Sequence, residues 1–125
     1  MKSNRPINLS LSQVISVNRS PIAIASILHR ISGIILFLLI PVMLWLLQNS
    51  LASPESFETV FDNVFLRFLA WIFVAAIAYH FVMGIKHLLA DNGRNEEFKS
   101  ASMASIISIV IAAILIVASF VWVMF

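Results

Sequence analysis

Three stretches of the chain are apolar almost without interruption, and they set its architecture. Cutting the sequence at its charged residues leaves uncharged blocks at 31–54, 68–85 and 100–125, of 24, 18 and 26 residues. A bilayer core takes about 20 apolar residues per helix, so each block with its flanks suffices for one crossing. The first helix is predicted over about 21–48, because Ser20 suits an N-cap and Pro21 suits the first helical position, where a missing N–H is harmless. Pro41 lies inside this helix and is expected to kink it, a feature membrane helices tolerate. Residues 49–63, with Ser50, Ser53-Pro54 and the acids Glu55, Glu58 and Asp62, read as a connection with room for one short helix. A second helix follows over about 64–89 and stops at the turn-forming Asp91-Asn92-Gly93; a charged link at 94–99 leads to a third over about 101–123. The expected fold is an all-α integral membrane protein with three transmembrane helices, residues 1–125 forming one domain.

Composition agrees with that reading and narrows the chemistry. Of the 125 residues, 61% are hydrophobic and only 11% charged, whereas soluble domains carry nearer a quarter charged residues. The absence of cysteine excludes disulfides, thiolate haem ligation and iron–sulfur ligands, so redox chemistry here needs histidine or a borrowed centre. A net charge of +2, from eight Lys and Arg residues with no basic stripe, argues against nucleic-acid binding. Residues 1–20 lack the apolar core and cleavage site of a signal peptide and are read as a retained cytoplasmic segment on the membrane surface or on a soluble partner. Lys2, Arg5, Arg19 and Arg30 precede or open the first helix, and Lys86, Arg94 and Lys99 surround the second connection, while the first connection has only Arg67 at its edge. The positive-inside rule then puts the N-terminus in the cytoplasm and the C-terminus in the periplasm.

Two polar constellations interrupt the apolar helices. Ser26, His29, Arg30 and Gly33 fall at i, i+3, i+4 and i+7 of the first helix, on one face about 100° wide. An intramembrane arginine is costly and is retained for a partner or a ligand. Arg30 alone would equally suit a side chain reaching lipid phosphates, but a boundary marker explains one charge and not a convergent set. On the second helix Phe73, Ala76, His80, Gly84, His87 and Asp91 stay within about 40° of His80. His80 lies six residues before Lys86, roughly 9 Å deeper at 1.5 Å per residue. Ala76 and Gly84, one turn either side, remove bulk where a flat macrocycle on an imidazole would lie, although the same spacing also serves helix packing. A hydrogen-bonded structural histidine and a haem ligand both remain open on the residues alone. On the third helix the small residues Ala101, Ala104, Ser105, Ser108 and Ala112 read as a packing stripe without chemistry.

These motifs resemble the cytochrome b membrane anchors of succinate dehydrogenase, the larger of the two small anchors in enterobacterial-type enzymes. The resemblance covers nearly the whole chain. It rests on Arg5-Pro6-Ile7-Asn8-Leu9, on Ala25-Ser26-Ile27-Leu28-His29-Arg30-Ile31-Ser32-Gly33, on Ser53-Pro54-Glu55-Ser56-Phe57-Glu58, and most specifically on Ala78-Tyr79-His80-Phe81-Val82-Met83-Gly84-Ile85-Lys86-His87 followed by Asp91 and Gly93. It implies that His80 is an axial ligand of a b-type haem shared with the second small anchor, with the three helices part of a bundle common to both. It further implies that Ser26 and Arg30 contribute to a ubiquinone site and that His29 and His87 support the haem propionates. Lys86 stands where the family usually has arginine, and Ala90 replaces a bulky residue. The implied partners are the second anchor, an iron–sulfur subunit, a flavoprotein subunit and membrane lipid, in a bacterial inner membrane, the whole passing electrons from succinate to ubiquinone. A fumarate reductase anchor is the nearest alternative, and a small transporter subunit a more distant one. Proton relay in a transporter calls for acidic residues within the spans, and here there are none.

Overall fold

A computed structural model of the chain describes residues 8, 10–17 and 19–125. Lys2 and Arg5, with all but Asn8 of the N-terminal motif, lie outside the described residues. Five helices follow in order: α1 (Leu11–Val17), α2 (Pro21–Ser50), α3 (Pro54–Asp62), α4 (Val64–Asp91) and α5 (Phe98–Met124), with no strand among the described residues. Three of them, α2, α4 and α5, are long and apolar enough to cross a membrane.

The helix ends follow local chemistry. Ser20 caps α2 by accepting from the Ala23 amide at 3.2 Å, with Pro21 opening the helix. Asn63 caps α4 through its side-chain oxygen and the Leu66 amide at 3.1 Å. At the other end of α4, Gly93 has φ +77°, and the amides of Gly93 and Arg94 return to the carbonyls of Ala90 and Leu89, both at 3.0 Å. This is a Schellman closure, which needs the left-handed residue that glycine supplies. The anticipated short helix of the first connection is α3, capped by Ser53 on the Ser56 amide at 3.0 Å. Pro41 sits within α2, whose helical course continues to Ser50. The α1 helix was not anticipated: Ser10 and Gln13 exchange backbone-to-side-chain bonds at 2.9 and 3.3 Å, a capping box that starts it.

The helix α4 packs against both α5 and α2. Where the three meet, Ala25, Tyr79, Met83 and Ala112 are buried, with Val82, Ile109 and Ile116 against them. The Tyr79 hydroxyl donates to the Ala25 carbonyl at 3.2 Å, joining α4 to α2. Near the far end of the bundle the Trp71 indole N–H donates to the Ile116 carbonyl at 3.2 Å and the Arg67 guanidinium to the Met124 carbonyl at 3.3 Å, joining α4 to α5. Of the α5 small-residue stripe, Ser105 and Ala112 are fully buried, seven residues apart, as a close helix approach requires. Elsewhere the spans present large apolar side chains outward, Phe37, Leu38, Ile114 and Val117 among them.

Candidate functional site

The three histidines come together between α2 and α4. His29 of α2 stacks on His80 of α4, ring centroids 4.0 Å apart and planes inclined by 16°, and lies 5.1 Å from His87 at 57°. Stacked rings direct their nitrogen lone pairs in roughly parallel planes and not toward a common point. Correspondingly, no group of three or more His, Cys, Asp or Glu side chains among the described residues is arranged to hold a metal ion.

The surroundings of His80 determine which ring nitrogen is free. Ser32, almost fully buried on α2, donates its hydroxyl hydrogen to the His29 carbonyl at 2.6 Å. Its oxygen lies 2.9 Å from His80 Nδ1, and the His29 carbonyl oxygen lies 3.2 Å from the same nitrogen. A serine hydroxyl has one hydrogen, so with that hydrogen on the carbonyl both oxygens face Nδ1 as acceptors. The network therefore assigns the proton to Nδ1 and leaves Nε2 with its lone pair. Metal-ligating histidines have this arrangement, one nitrogen held by a backbone or side-chain acceptor and the other free for the metal. The residues thus fit a group that needs a single neutral imidazole ligand.

Space around His80 comes from Gly33 of α2. A Cβ at Gly33 would lie 3.1 Å from His80 Cε1, whereas one at Gly84 would be 4.0 Å from His29 Nε2, an ordinary contact. Ala76 is buried and lines an apolar cleft of about 420 Å³ between α2, α4 and α5, together with Ser32, Trp71 and Tyr79. Beside the small residues Ala76 and Gly84 on α4 itself, Gly33 of α2 leaves room for the His80 ring, and Ala76 opens toward the cleft. His29 Nε2 is buried without a hydrogen-bond partner among the described residues.

Ser26 and Arg30 lie on α2 one turn and less from His29, but no hydrogen bond or ion pair joins either side chain to another described residue. Ser26 is half-buried and Arg30 exposed. Neither lines the 420 Å³ cleft. They form an open face and not a closed pocket of this chain. Ser32 escaped the sequence reading, although its position three residues after His29 put it on the same helical side; its role depends on a partner 48 residues away, on another helix.

A model of the family described as succinate dehydrogenase/fumarate reductase transmembrane subunit matches residues 1–120. The chain is 36% identical to the succinate dehydrogenase cytochrome b556 subunit of Coxiella burnetii, over 98% of this chain and 99% of that protein. It is 34% identical to the protein of the same name from Paracoccus denitrificans, over 83% of this chain and 80% of the relative. With its all-helical fold and three candidate spans, the chain belongs to the family of succinate dehydrogenase/fumarate reductase transmembrane subunits, as a cytochrome b membrane anchor of the succinate dehydrogenase kind.

Proposed function

We propose that this chain holds a b-type haem through His80 Nε2, jointly with an imidazole of a second small anchor, and that Ser26 and Arg30 contribute to a ubiquinone site beside it. The observation that carries the haem reading is the Ser32 and His29 acceptor pair on His80 Nδ1, which leaves Nε2 free and correctly hybridised for iron. The cytochrome b556 name of the relatives agrees with it. A haem held there would supply a one-electron store. The residues of this chain hold and orient it. His29, with its unpartnered buried Nε2, and His87 beside it supply polar groups for the propionates.

Succinate is oxidised on the flavoprotein subunit and its electrons pass through the iron–sulfur subunit, whose clusters this cysteine-free chain cannot ligate. Electrons then reach ubiquinone at the inner face of the membrane. There the Ser26 hydroxyl donates a hydrogen bond to a quinone carbonyl, and Arg30 stabilises negative charge as it builds on the ring. A hydrogen bond involving a charged group contributes about 1.5 to 3 kcal/mol, and more to the reduced than to the neutral quinone, so it favours the electron transfer itself. The N-terminus lies in the cytoplasm and the C-terminus in the periplasm of a bacterial inner membrane, which puts Ser26, Arg30, Lys86 and His87 on the side of the soluble subunits. A reduced-minus-oxidised spectrum of the purified membrane complex tests the reading. It predicts the sharp bands of a low-spin b-type haem that succinate reduces, and a complex that reduces ubiquinone without any such bands would refute the haem assignment.

A further inference from the structure

We propose that Ser32 is a positioning residue for His80: its hydroxyl oxygen accepts a hydrogen bond from Nδ1–H and so sets the tautomer, the rotation and the donor strength of that imidazole. The inference rests on the haem reading above. Serines in membrane helices commonly bond back to their own helix, and Ser50, Ser105 and Ser119 do so here. Among these described serines only Ser32 also meets a ring nitrogen of another helix.

The bond back to the His29 carbonyl, at 2.6 Å, is what gives Ser32 its direction. It uses the only hydroxyl hydrogen, so the oxygen presents lone pairs to His80 Nδ1 at 2.9 Å and works as an acceptor. The other tautomer of His80 would set an Nδ1 lone pair against two oxygens, with the His29 carbonyl at 3.2 Å as the second. Rotation of the ring is opposed on its face by the stacked His29 ring, 4.0 Å away. An acceptor on Nδ1–H makes Nε2 more basic and stabilises the oxidised form of any iron bound there. Loss of the hydroxyl should therefore raise the haem potential.

The test uses the complete co-expressed complex carrying Ser32→Ala, Ser32→Thr or His80→Leu, with potentiometric titration of the haem and its low-spin electron paramagnetic resonance signature as readouts. Threonine keeps the hydroxyl and bonds back to helix carbonyls as serine does. A neutral hydrogen bond is worth about 0.5 to 1.5 kcal/mol net, so Ser32→Ala is expected to lower the oxidised-to-reduced ratio at fixed potential about threefold. At about 59 mV per tenfold for one electron this is an upward shift of ~28 mV. Ser32→Thr is expected to stay at the parent value. Loss of haem in Ser32→Ala with retention in Ser32→Thr also supports the proposal, because it isolates the hydroxyl. A Ser32→Ala complex with unaltered potential and signature overturns it, and so do equal changes in both Ser32 variants, which would reflect packing. If His80→Leu changes the spectrum and Ser32→Ala does not, the Ser32 role alone fails; an unchanged spectrum in His80→Leu removes the ligand reading beneath it.

Discussion

Gly33 and His80 face each other across the interface of α2 and α4, so close that a Cβ on the glycine would stand 3.1 Å from the imidazole Cε1. Gly33→Ala is a favourable change for an isolated helix, by about 1 kcal/mol. In this interface it forces the ring or the helix to give by a few tenths of an ångström, and overpacking of that kind costs roughly 1 to 3 kcal/mol. The variant should insert and assemble, yet hold less haem. The haem-to-flavin ratio of purified complex checks this, and a ratio equal to that of the parent would show that His80 has room to spare.

Replacement of Ser26 by Ala should slow succinate-driven ubiquinone reduction roughly threefold to tenfold, the equivalent of one neutral hydrogen bond in the transition state. Arg30→Leu should slow it further, because a charge-assisted contact is lost. Reduction of an artificial dye that accepts electrons from the soluble subunits should not change in either variant. Parallel loss of both activities would mean damaged assembly, and no loss in either would leave Arg30 as a side chain anchored at the lipid boundary.

Reporter fusions check the orientation. A periplasm-active reporter fused after Phe125 should be active, and the same reporter at Asn95, in the connection between α4 and α5, should be silent. The reverse pattern would move Ser26 and Arg30 to the side of the membrane away from the soluble subunits and so exclude them from the path.

The parts of this structure that were legible in the sequence are those fixed by neighbours within a few residues. The starts of α2 and α4 expected at 21 and 64 are the observed ones, and the second ends two residues later than expected, at Asp91, where Gly93 closes it. The α5 helix begins at Phe98, three residues before the expected 101, so its first turn includes the charged Lys99. The α1 helix was readable too, since Ser10-Leu11-Ser12-Gln13 is a capping-box sequence. The meeting of Ser32 with His80 was not. In a soluble helix the polar side reveals rotational phase, but in a membrane helix both the packed side and the lipid side are apolar, so the pattern does not say which face meets which neighbour. Hence spacing along α4 reveals Ala76 and Gly84 one turn either side of His80, but not that Gly33 of another helix faces that ring.

The proposed role of His80 as the ligand of this chain to iron is tested most directly by the reduced-minus-oxidised spectrum of co-expressed complexes carrying His80→Leu, His29→Leu or His87→Leu. His29 stacks on His80 and His87 is tilted against His29, and neither shares the acceptor pair on His80 Nδ1, so their loss should leave the low-spin b-type bands in place. His80→Leu should abolish those bands or convert them to those of another ligation state. An unchanged low-spin spectrum in His80→Leu would contradict the account and assign the ligand elsewhere.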